Sequence, residues 1–201
     1  MKRKLVYGVG INDADYKVTN IVEGKKTSCP YYVKWTSMLE RGYSSTFKKR
    51  YQSYFDVSVC KEWHTFSTFK QWMMKQDWQG LELDKDMIYP NNKRYSPKTC
   101  VFVSHTLNSL LNTHENDRGL FPLGVTYDKR SKNFQARLSI EGKQRYLGYF
   151  KTVEEAEQTY LEAKINHLKS VRASITGKRI RKGLKRHIKL YKKEVRARMA
   201  R

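Results

Sequence analysis

The segment between residues 124 and 150 constrains the fold of this chain more than any other part of it. It contains three short stretches in which apolar and polar side chains alternate, at residues 124–127, 134–140 and 145–150. Alternation of this kind is typical of half-buried strands. Thr152 follows where a helix can begin, and Glu155 three residues later completes the pattern of a capping box. The segment therefore predicts a three-stranded antiparallel sheet covered by one helix.

The last part of the chain is strongly basic and also has an apolar period. Ile180, Leu184, Ile188 and Tyr191 recur at steps of three or four, and Val195 and Met199 continue the series. This period predicts a basic amphipathic helix from Lys178 onward. Such a helix could be a solvated element docked on the body, but its charge favours a helix that lies along DNA or RNA. The residues expected to contact phosphates are Lys178, Arg179, Arg181, Lys182, Lys185 and Arg186.

The charge of the whole chain points to a polyanionic partner. The formal net charge is +22 in 201 residues, and the isoelectric point is about 9.9. Residues 121–201 carry 22 basic and 7 acidic side chains, against 19 and 12 in residues 1–120. A protein that binds the phosphate backbone has this kind of charge. Ribosomal and membrane-surface proteins share it, so charge alone gives a class and not a function.

Nothing in the sequence indicates export or membrane insertion. No apolar run of 7–15 residues follows the basic start Met1 to Lys4, and no stretch approaches the ~20 apolar residues of a membrane span. The cysteines Cys29, Cys60 and Cys100 are odd in number and widely spaced, which favours reduced thiols in an intracellular protein. Cys60 and His64 with the other two thiols could in principle bind zinc, but no paired CxxC is present and zinc is not expected.

The first half of the chain predicts a separate mixed domain. A helical period begins at Pro30, a short strand is expected at 57–60, and Thr65 is expected to cap a second helix. Strands are then expected at 81–84 and 100–103, followed by a helix capped by Ser104. The aromatic side chains that recur at helical spacing in the first two helices are expected to belong to the hydrophobic core. Residues 1–29 read as extended chain and turns.

The strand–loop–strand–helix order at 81–112 places acids where a metal site could form. An acid at the end of the first strand and a polar side chain on the helix can hold one divalent ion through oxygen ligands, as Mg²⁺ prefers. Such an ion would neutralise charge on a scissile phosphate, and a nearby base would activate water. The alternative is that Asp84 and Asp86 only set a turn. The candidate catalytic residues are Asp84, Lys85, Asp86, Thr99, His105 and Asn108.

The same stretch resembles a divergent HNH nuclease motif of the kind found in phage homing endonucleases, through LDKD at 83–86, YSPKTCVFV at 95–103 and Asn108. Upstream, YGVGINDADY at 7–16, CPYY at 29–32 and VCKEW at 59–63 are similar to the leader of those proteins. The resemblance implies that Asp84 and Asn108 bind Mg²⁺ or Mn²⁺. Lys85 stands at the position of the general base, and Thr99 at that of the asparagine that orients it. Asp86 or His105 could act as the base instead.

Residues 124–160 resemble the plant ethylene-response-factor (Apetala-type) DNA-binding domain, through GVTY at 124–127, FQARL at 134–138, YLGYF at 146–150 and EEA at 154–156. In that family the sheet lies in the major groove. A basic sheet can also enter a groove on physical grounds alone, since arginine offers bidentate donors to guanine. The expected DNA contacts are Tyr127, Arg130, Lys132, Gln135, Arg137, Lys143, Arg145 and Tyr149.

The sequence therefore predicts an α+β protein with a small HNH-like ββα-metal domain at 1–115, a DNA-binding sheet and helix at 120–172, and a basic helical tail at 173–201. The expected function is sequence-specific, metal-dependent cleavage of double-stranded DNA by a monomeric phage protein in the host cytoplasm. A DNA-binding regulator without catalysis on the same scaffold is the alternative. An RNA- or ribosome-associated protein fits the tail but not the sheet.

Overall fold

The computed structural model describes residues 4–111 and 120–199, which divide into two compact units. The first unit contains the chain up to Asp86 together with Asn91–Ser104. The second contains Met87–Pro90 and the chain from His105 onward. Residues 112–119, a polar stretch whose composition predicts a linker, lie outside the described residues. The mixed helix and strand content agrees with the predicted α+β class.

The first unit is built from three helices and three pairs of short strands. Two strand pairs are antiparallel, β1 with β2 and β4 with β6, and β3 pairs with β5 in parallel. Two short 3-10 turns, Gln52–Tyr54 and Lys61–His64, connect them. The elements in chain order are β1 (Thr19–Val22), β2 (Lys25–Ser28), α1 (Pro30–Tyr43), α2 (Ser45–Arg50), β3 (Ser58–Val59), α3 (Phe66–Met74), β4 (Glu82–Asp84), β5 (Arg94–Tyr95) and β6 (Val101–Val103).

The aromatic stripes of α1 and α3 form the core of this unit, as their spacing predicts. Trp35 on α1 is fully buried, and its indole N–H donates to the Trp63 carbonyl oxygen at 2.7 Å. Phe66 and Phe69 on α3 are equally buried, and each large apolar side chain buried in this way contributes about 1.5–3 kcal/mol. Thr65 stands at the predicted N-cap of α3, but its side chain makes no capping hydrogen bond.

The hairpin β1–β2 is the main element of the first unit that the sequence did not predict. It occupies residues that read as extended chain and turns, and its two strands are joined by Glu23 and Gly24. Both turn residues have positive φ, 50° and 73°, which is the backbone of a two-residue type I′ hairpin turn.

The second unit contains the predicted sheet and helix. Its sheet is antiparallel with strand order β7-β8-β9, and its long helix begins with the predicted capping box between Thr152 and Glu155. Both the Thr152 side chain and the Glu155 side chain accept backbone N–H groups there. The elements are α4 (His105–Leu111), β7 (Val125–Asp128), β8 (Asn133–Ile140), β9 (Lys143–Phe150), α5 (Val153–Ser174) and α6 (Lys178–Met199).

Helix α5 covers one face of the sheet and also packs against α6. Val125, Ala136 and Ala156 form the centre of the contact between sheet and helix. Gly124 permits the close approach, because a Cβ there would lie 2.2 Å from the Tyr160 ring. Gly148 does not have this role, because a Cβ there would meet the Phe150 ring, at 3.0 Å, and its φ is +144°. Among the helices of the described residues, none is long and apolar enough to cross a membrane.

Candidate nucleic-acid interface

The face of the sheet turned away from α5 is a polar and aromatic surface. Val125 and Ala136 point toward α5, and because successive side chains alternate, their neighbours Thr126 and Gln135 point the other way. Gln135 pairs with Tyr149 on β9, which places Tyr149 on the same side. We call this surface the open face, and it consists of Thr126, Gln135, Arg137, Ser139, Gln144, Tyr146 and Tyr149.

Arg137 and two tyrosines dominate the open face. Arg137 is exposed and lies opposite Tyr146, whose side chain is 56% exposed. Tyr149 is 47% exposed, and its ring lies 5.5 Å from that of Tyr146. Gln135 lies on the same face but is buried. Tyr146 was not among the predicted contacts, because a register shift between Ala136 and Arg137 brings it to this face and simple alternation does not show the shift.

Three of the predicted contacts lie on the other side of the sheet. Tyr127 pairs with Phe134 and its ring lies 5.2 Å from that of Phe134, in the aromatic group beside α5. Lys143 lies opposite Ile140, and Arg145 lies opposite the buried Leu138. Lys143 and Arg145, which we predicted as DNA contacts of the sheet, therefore lie on the face opposite Gln135 and Arg137, although both side chains are exposed.

The turn between β7 and β8 is organised around Asp128. Its carboxylate accepts the Arg130 backbone N–H at 2.9 Å, the Ser131 hydroxyl at 3.0 Å and the Tyr149 hydroxyl at 3.0 Å. These donors favour the charged form and lower the pKa of Asp128, with the Arg130 N–H having the largest effect. The hydrogen bond from the Tyr149 hydroxyl to the Asp128 carboxylate raises the pKa of Tyr149. The turn thereby fixes one edge of the open face and presents Arg130 and Lys132, both of them exposed.

Helix α6 packs against α5 through its apolar side chains and exposes its basic ones. Leu184, Ile188 and Tyr191 are buried, and the Lys164 ammonium group on α5 lies 4.8 Å from the Tyr191 ring centroid. Arg198 forms an ion pair with Glu157, which also joins α6 to α5. The side chain of Met199, the last member of the predicted period, lies outside the described part of the structure. The exposed basic residues of α6 are Lys178, Arg179, Arg181, Lys182, Lys185, Arg186, Lys189, Lys192, Lys193, Arg196 and Arg198.

Arg186 has a structural role that the sequence did not reveal. Its guanidinium group donates to the Ile88 carbonyl oxygen at 2.9 Å and lies 4.5 Å from the Tyr89 ring centroid. One turn earlier, Gly183 lies so close to the same segment that a Cβ would come 2.1 Å from the Met87 carbonyl oxygen. Arg186 therefore holds the segment Met87–Pro90 against α6, whereas we had predicted a phosphate contact.

The candidate nuclease residues around Asp84 form a closed turn. Asp84 ends β4 opposite Val101, and its carboxylate accepts the Asp86 backbone N–H at 3.0 Å. The Lys85 side chain is buried, and its ammonium group donates to the Asp86 carboxylate at 2.8 Å. It also lies 5.4 Å from the Tyr54 ring centroid. This ion pair commits the Lys85 side chain to Asp86, at the position where the resemblance implies a general base.

The remaining candidates are distributed over both units. Thr99 lies in the first unit, where its hydroxyl donates to the Arg94 carbonyl oxygen at 2.7 Å and lies 2.9 Å from the Ser96 hydroxyl. His105 and Asn108 lie on α4 in the second unit, and the His105 Nε2 is 3.4 Å from the Ser109 hydroxyl. In the described ranges 4–111 and 120–199, no group of three or more His, Cys, Asp or Glu side chains could hold a metal ion.

The cysteines behave as small apolar side chains in the two buried positions. All three are free thiols. Burial raises the pKa of the Cys60 thiol to about 11 and that of the Cys100 thiol to about 12, so both stay protonated at neutral pH. The His64 ring nitrogen lies 2.8 Å from the Tyr43 hydroxyl. Cys60 and Cys100 are therefore packed in the core of the first unit as small apolar side chains.

Comparisons with known proteins leave these observations to stand on their own. No family model, no curated protein and no solved structure matches the chain. The likeness to HNH nucleases and to ethylene-response-factor domains therefore remains a prediction from short motifs. The function has to be argued from the surfaces and contacts of the structure.

Proposed function

We propose that this protein binds double-stranded DNA in a sequence-dependent way through the second unit. The observation that carries the proposal is the open face, a twisted antiparallel sheet surface with an exposed arginine beside two exposed tyrosines. A sheet of this kind can be accommodated in the major groove, where each base pair presents a distinct set of donors and acceptors. The net charge of +22 supplies the attraction to phosphate.

The open face and the exposed cations of α6 have different roles in the proposal. Arg137 reads a base edge, because its planar fork can donate two hydrogen bonds to a guanine. Tyr146 and Tyr149 flank it and contact sugars and phosphates. The exposed lysines and arginines of α6 neutralise phosphates whatever the sequence, since this contribution depends on charge and not on base identity. Arg186 and Arg198 are excepted, because they contact Ile88 and Glu157 within the unit.

Binding constants of Arg137 variants test the proposal. The preferred duplex is first selected from a randomised library, and fluorescence anisotropy then gives its Kd. Arg137→Ala should weaken binding to the selected duplex about 5- to 150-fold, which corresponds to about 1–3 kcal/mol for one bidentate base contact. Arg137→Lys should keep the affinity for unrelated DNA and lose the preference at one base pair.

Lys169→Ala is the matched control, since Lys169 is exposed on α5, which covers the opposite side of the sheet from the open face. It should bind the selected duplex as the wild type does. If Arg137→Ala binds as tightly as Lys169→Ala, the open face does not read the sequence and the proposal fails.

Metal-dependent cleavage of DNA, as in a homing endonuclease, is the second candidate function. The observation that favours it is the antiparallel pair of β4 and β6, with Asp84 at the end of the first strand. Mg²⁺ commonly takes only one or two protein carboxylates and completes its shell with water and substrate phosphates. Asp84 fits this donor set, whereas Asp86 is neutralised by Lys85. Without cleavage, the protein is a DNA-binding regulator.

Incubation of phage DNA with Mg²⁺ or Mn²⁺, against an EDTA control, decides between these two functions. Discrete cuts in the wild type that vanish in both Asp84→Ala and Asp84→Asn establish a nuclease. The asparagine variant is informative because its amide oxygen can still accept the Asp86 N–H and keep the turn. Unchanged DNA affinity in both variants shows that only the metal ligand was lost. Binding without cuts in either metal rules out the nuclease and leaves the regulator.

A further inference from the structure

A β-hairpin that projects from the first unit has no role in the proposed function. It consists of β1, β2 and the turn between them, residues 19–28, and we call it the arm. Ile21 pairs with Lys26 and Val22 pairs with Lys25, while the hydroxyl groups of Thr19 and Ser28 lie 3.1 Å apart across its base. The type I′ turn fixes this register, because the turn geometry matches the twist of the two strands.

The base of the arm is anchored in the core. The Cys29 backbone N–H donates to the Val18 carbonyl oxygen at 2.8 Å, and both side chains pack against the core of the unit. Lys70 on α3 donates to the Tyr16 hydroxyl at 3.0 Å and lies 4.7 Å from the centre of that ring. These contacts hold the chain on both sides of the arm, so the hairpin is attached firmly at one end.

The rest of the arm is exposed on both faces. Ile21 is 76% exposed, and Asn20, Lys25 and Lys26 are exposed as well. A two-stranded hairpin has at best marginal stability when no other layer covers it. Ile21 is also a large apolar side chain in water, where it gains nothing from burial. An arm with these properties is stabilised when a partner surrounds it.

Two of the three charged side chains of the arm are cations, Lys25 and Lys26 against Glu23 in the turn, and this balance favours a polyanionic partner. Neighbouring side chains on a strand point to opposite faces, so Lys25 and Lys26 place an ammonium group on each side of the ribbon. A groove of duplex DNA presents phosphates along both of its walls. Four residues at about 3.3 Å each make a ribbon about 13 Å long, and the major groove is about 12 Å wide. Ile21 lies on the same face as Lys26, where it can contact a thymine methyl group.

We propose that the arm is a second DNA-contacting element, which enters a groove with Lys25 and Lys26 on phosphates and Ile21 against the bases. The inference rests on the proposed function, because it requires that the protein bind DNA. The inference goes beyond the proposed function because it assigns a DNA contact to the first unit. The arm lies outside all the sequence motifs that resemble known families. A protein partner would use the exposed isoleucine but would not need a cation on each face.

Salt dependence gives the first test. The double variant Lys25→Gln, Lys26→Gln should reduce the slope of log K against log salt concentration by about 1.8, since each phosphate contact contributes about 0.9. Lys61→Gln, Lys75→Gln is the matched control, because both lysines are exposed in the same unit and lie outside the arm. The control should keep the wild-type slope. Equal slopes for the arm variant, the control and the wild type overturn the inference.

Ile21→Ser gives the second test, which does not depend on charge. At 76% exposure this substitution leaves the fold intact, so it should weaken binding several-fold without changing the slope. Unchanged affinity means that Ile21 does not touch DNA and overturns that part of the inference. The two proposals fail differently: if Arg137→Ala weakens binding while every arm variant behaves as the wild type, only the arm is refuted. If the wild type itself does not bind DNA, the proposed function is refuted first.

Discussion

Gly124 offers the sharpest test of how the open face is positioned. It precedes β7 with φ of +79°, and its carbonyl oxygen accepts the Arg137 backbone N–H at 2.8 Å. A Cβ on residue 124 would lie 2.2 Å from the Tyr160 ring and 2.7 Å from the Arg137 carbonyl oxygen. The second atom belongs to the backbone, so the overlap cannot be relieved by a rotation of one side chain.

Gly124→Ala should therefore destabilise the second unit by two effects. The left-handed backbone costs a residue with a Cβ about 1–2 kcal/mol, and overpacking adds about 1–3 kcal/mol. The sum is about 2–5 kcal/mol. Gly142→Ala is the matched control, because its φ is +76° but a Cβ there meets nothing within 4 Å. It should lose only the backbone part, about 1–2 kcal/mol.

Hydrogen exchange of the β7–β9 amides measures the stability of the second unit in both variants. Tryptophan fluorescence would not report on the sheet, because all the tryptophans lie in the first unit. Protection should fall clearly more in Gly124→Ala than in Gly142→Ala. Equal losses would show that the close approach of Gly124 to α5 does not exist.

Three further predictions follow from single contacts. Arg186→Ala should lower the free energy of unfolding but leave the salt slope of DNA binding unchanged, whereas Lys185→Ala should reduce the slope by about 0.9 at unchanged stability. The stability difference between the wild type and Asp128→Asn should be complete above about pH 4, the ordinary carboxylate range, and disappear as the pH falls through the lowered pKa of Asp128. Iodoacetamide at pH 8 should label the half-buried Cys29 well before the buried Cys60; equal rates would contradict the raised pKa of Cys60.

The sheet and helix of the second unit could be predicted from sequence because their signals are local. Alternation, turn residues and the capping box at Thr152 all act within a few residues, and they agree with one another. The face on which each side chain lies could not be predicted with the same success. One register shift beside Arg137 moves Tyr146 onto the open face and leaves Arg145 on the opposite side, and the sequence carries no sign of it.

The candidate nuclease site shows the same limit for tertiary contacts. The strands and the position of Asp84 follow from the sequence, but the ion pair that commits Lys85 to Asp86 becomes visible only in the structure. The contact of Arg186 with Ile88 joins residues far apart in the chain, so no local pattern could separate Arg186 from the other cations of α6. The arm was missed because neither of its faces is buried, and periodicity reports burial.

The packing of the second unit determines how the open face and the cations of α6 could contact one DNA duplex. Helix α5 covers the face of the sheet opposite the open face, and α6 packs against α5. The cations of α6 and Arg137 therefore lie on different surfaces of the second unit. In the proposed function, these cations contact a different stretch of DNA than the bases read by Arg137, or a duplex bent around the unit. Removing α6 as a whole would also uncover Lys164 and Glu157 on α5, so loss of binding after truncation would mix unfolding with lost phosphate contacts. Neutralising single exposed lysines of α6 keeps its buried ridge in place, and only that change separates the electrostatic contribution of the helix from its structural one.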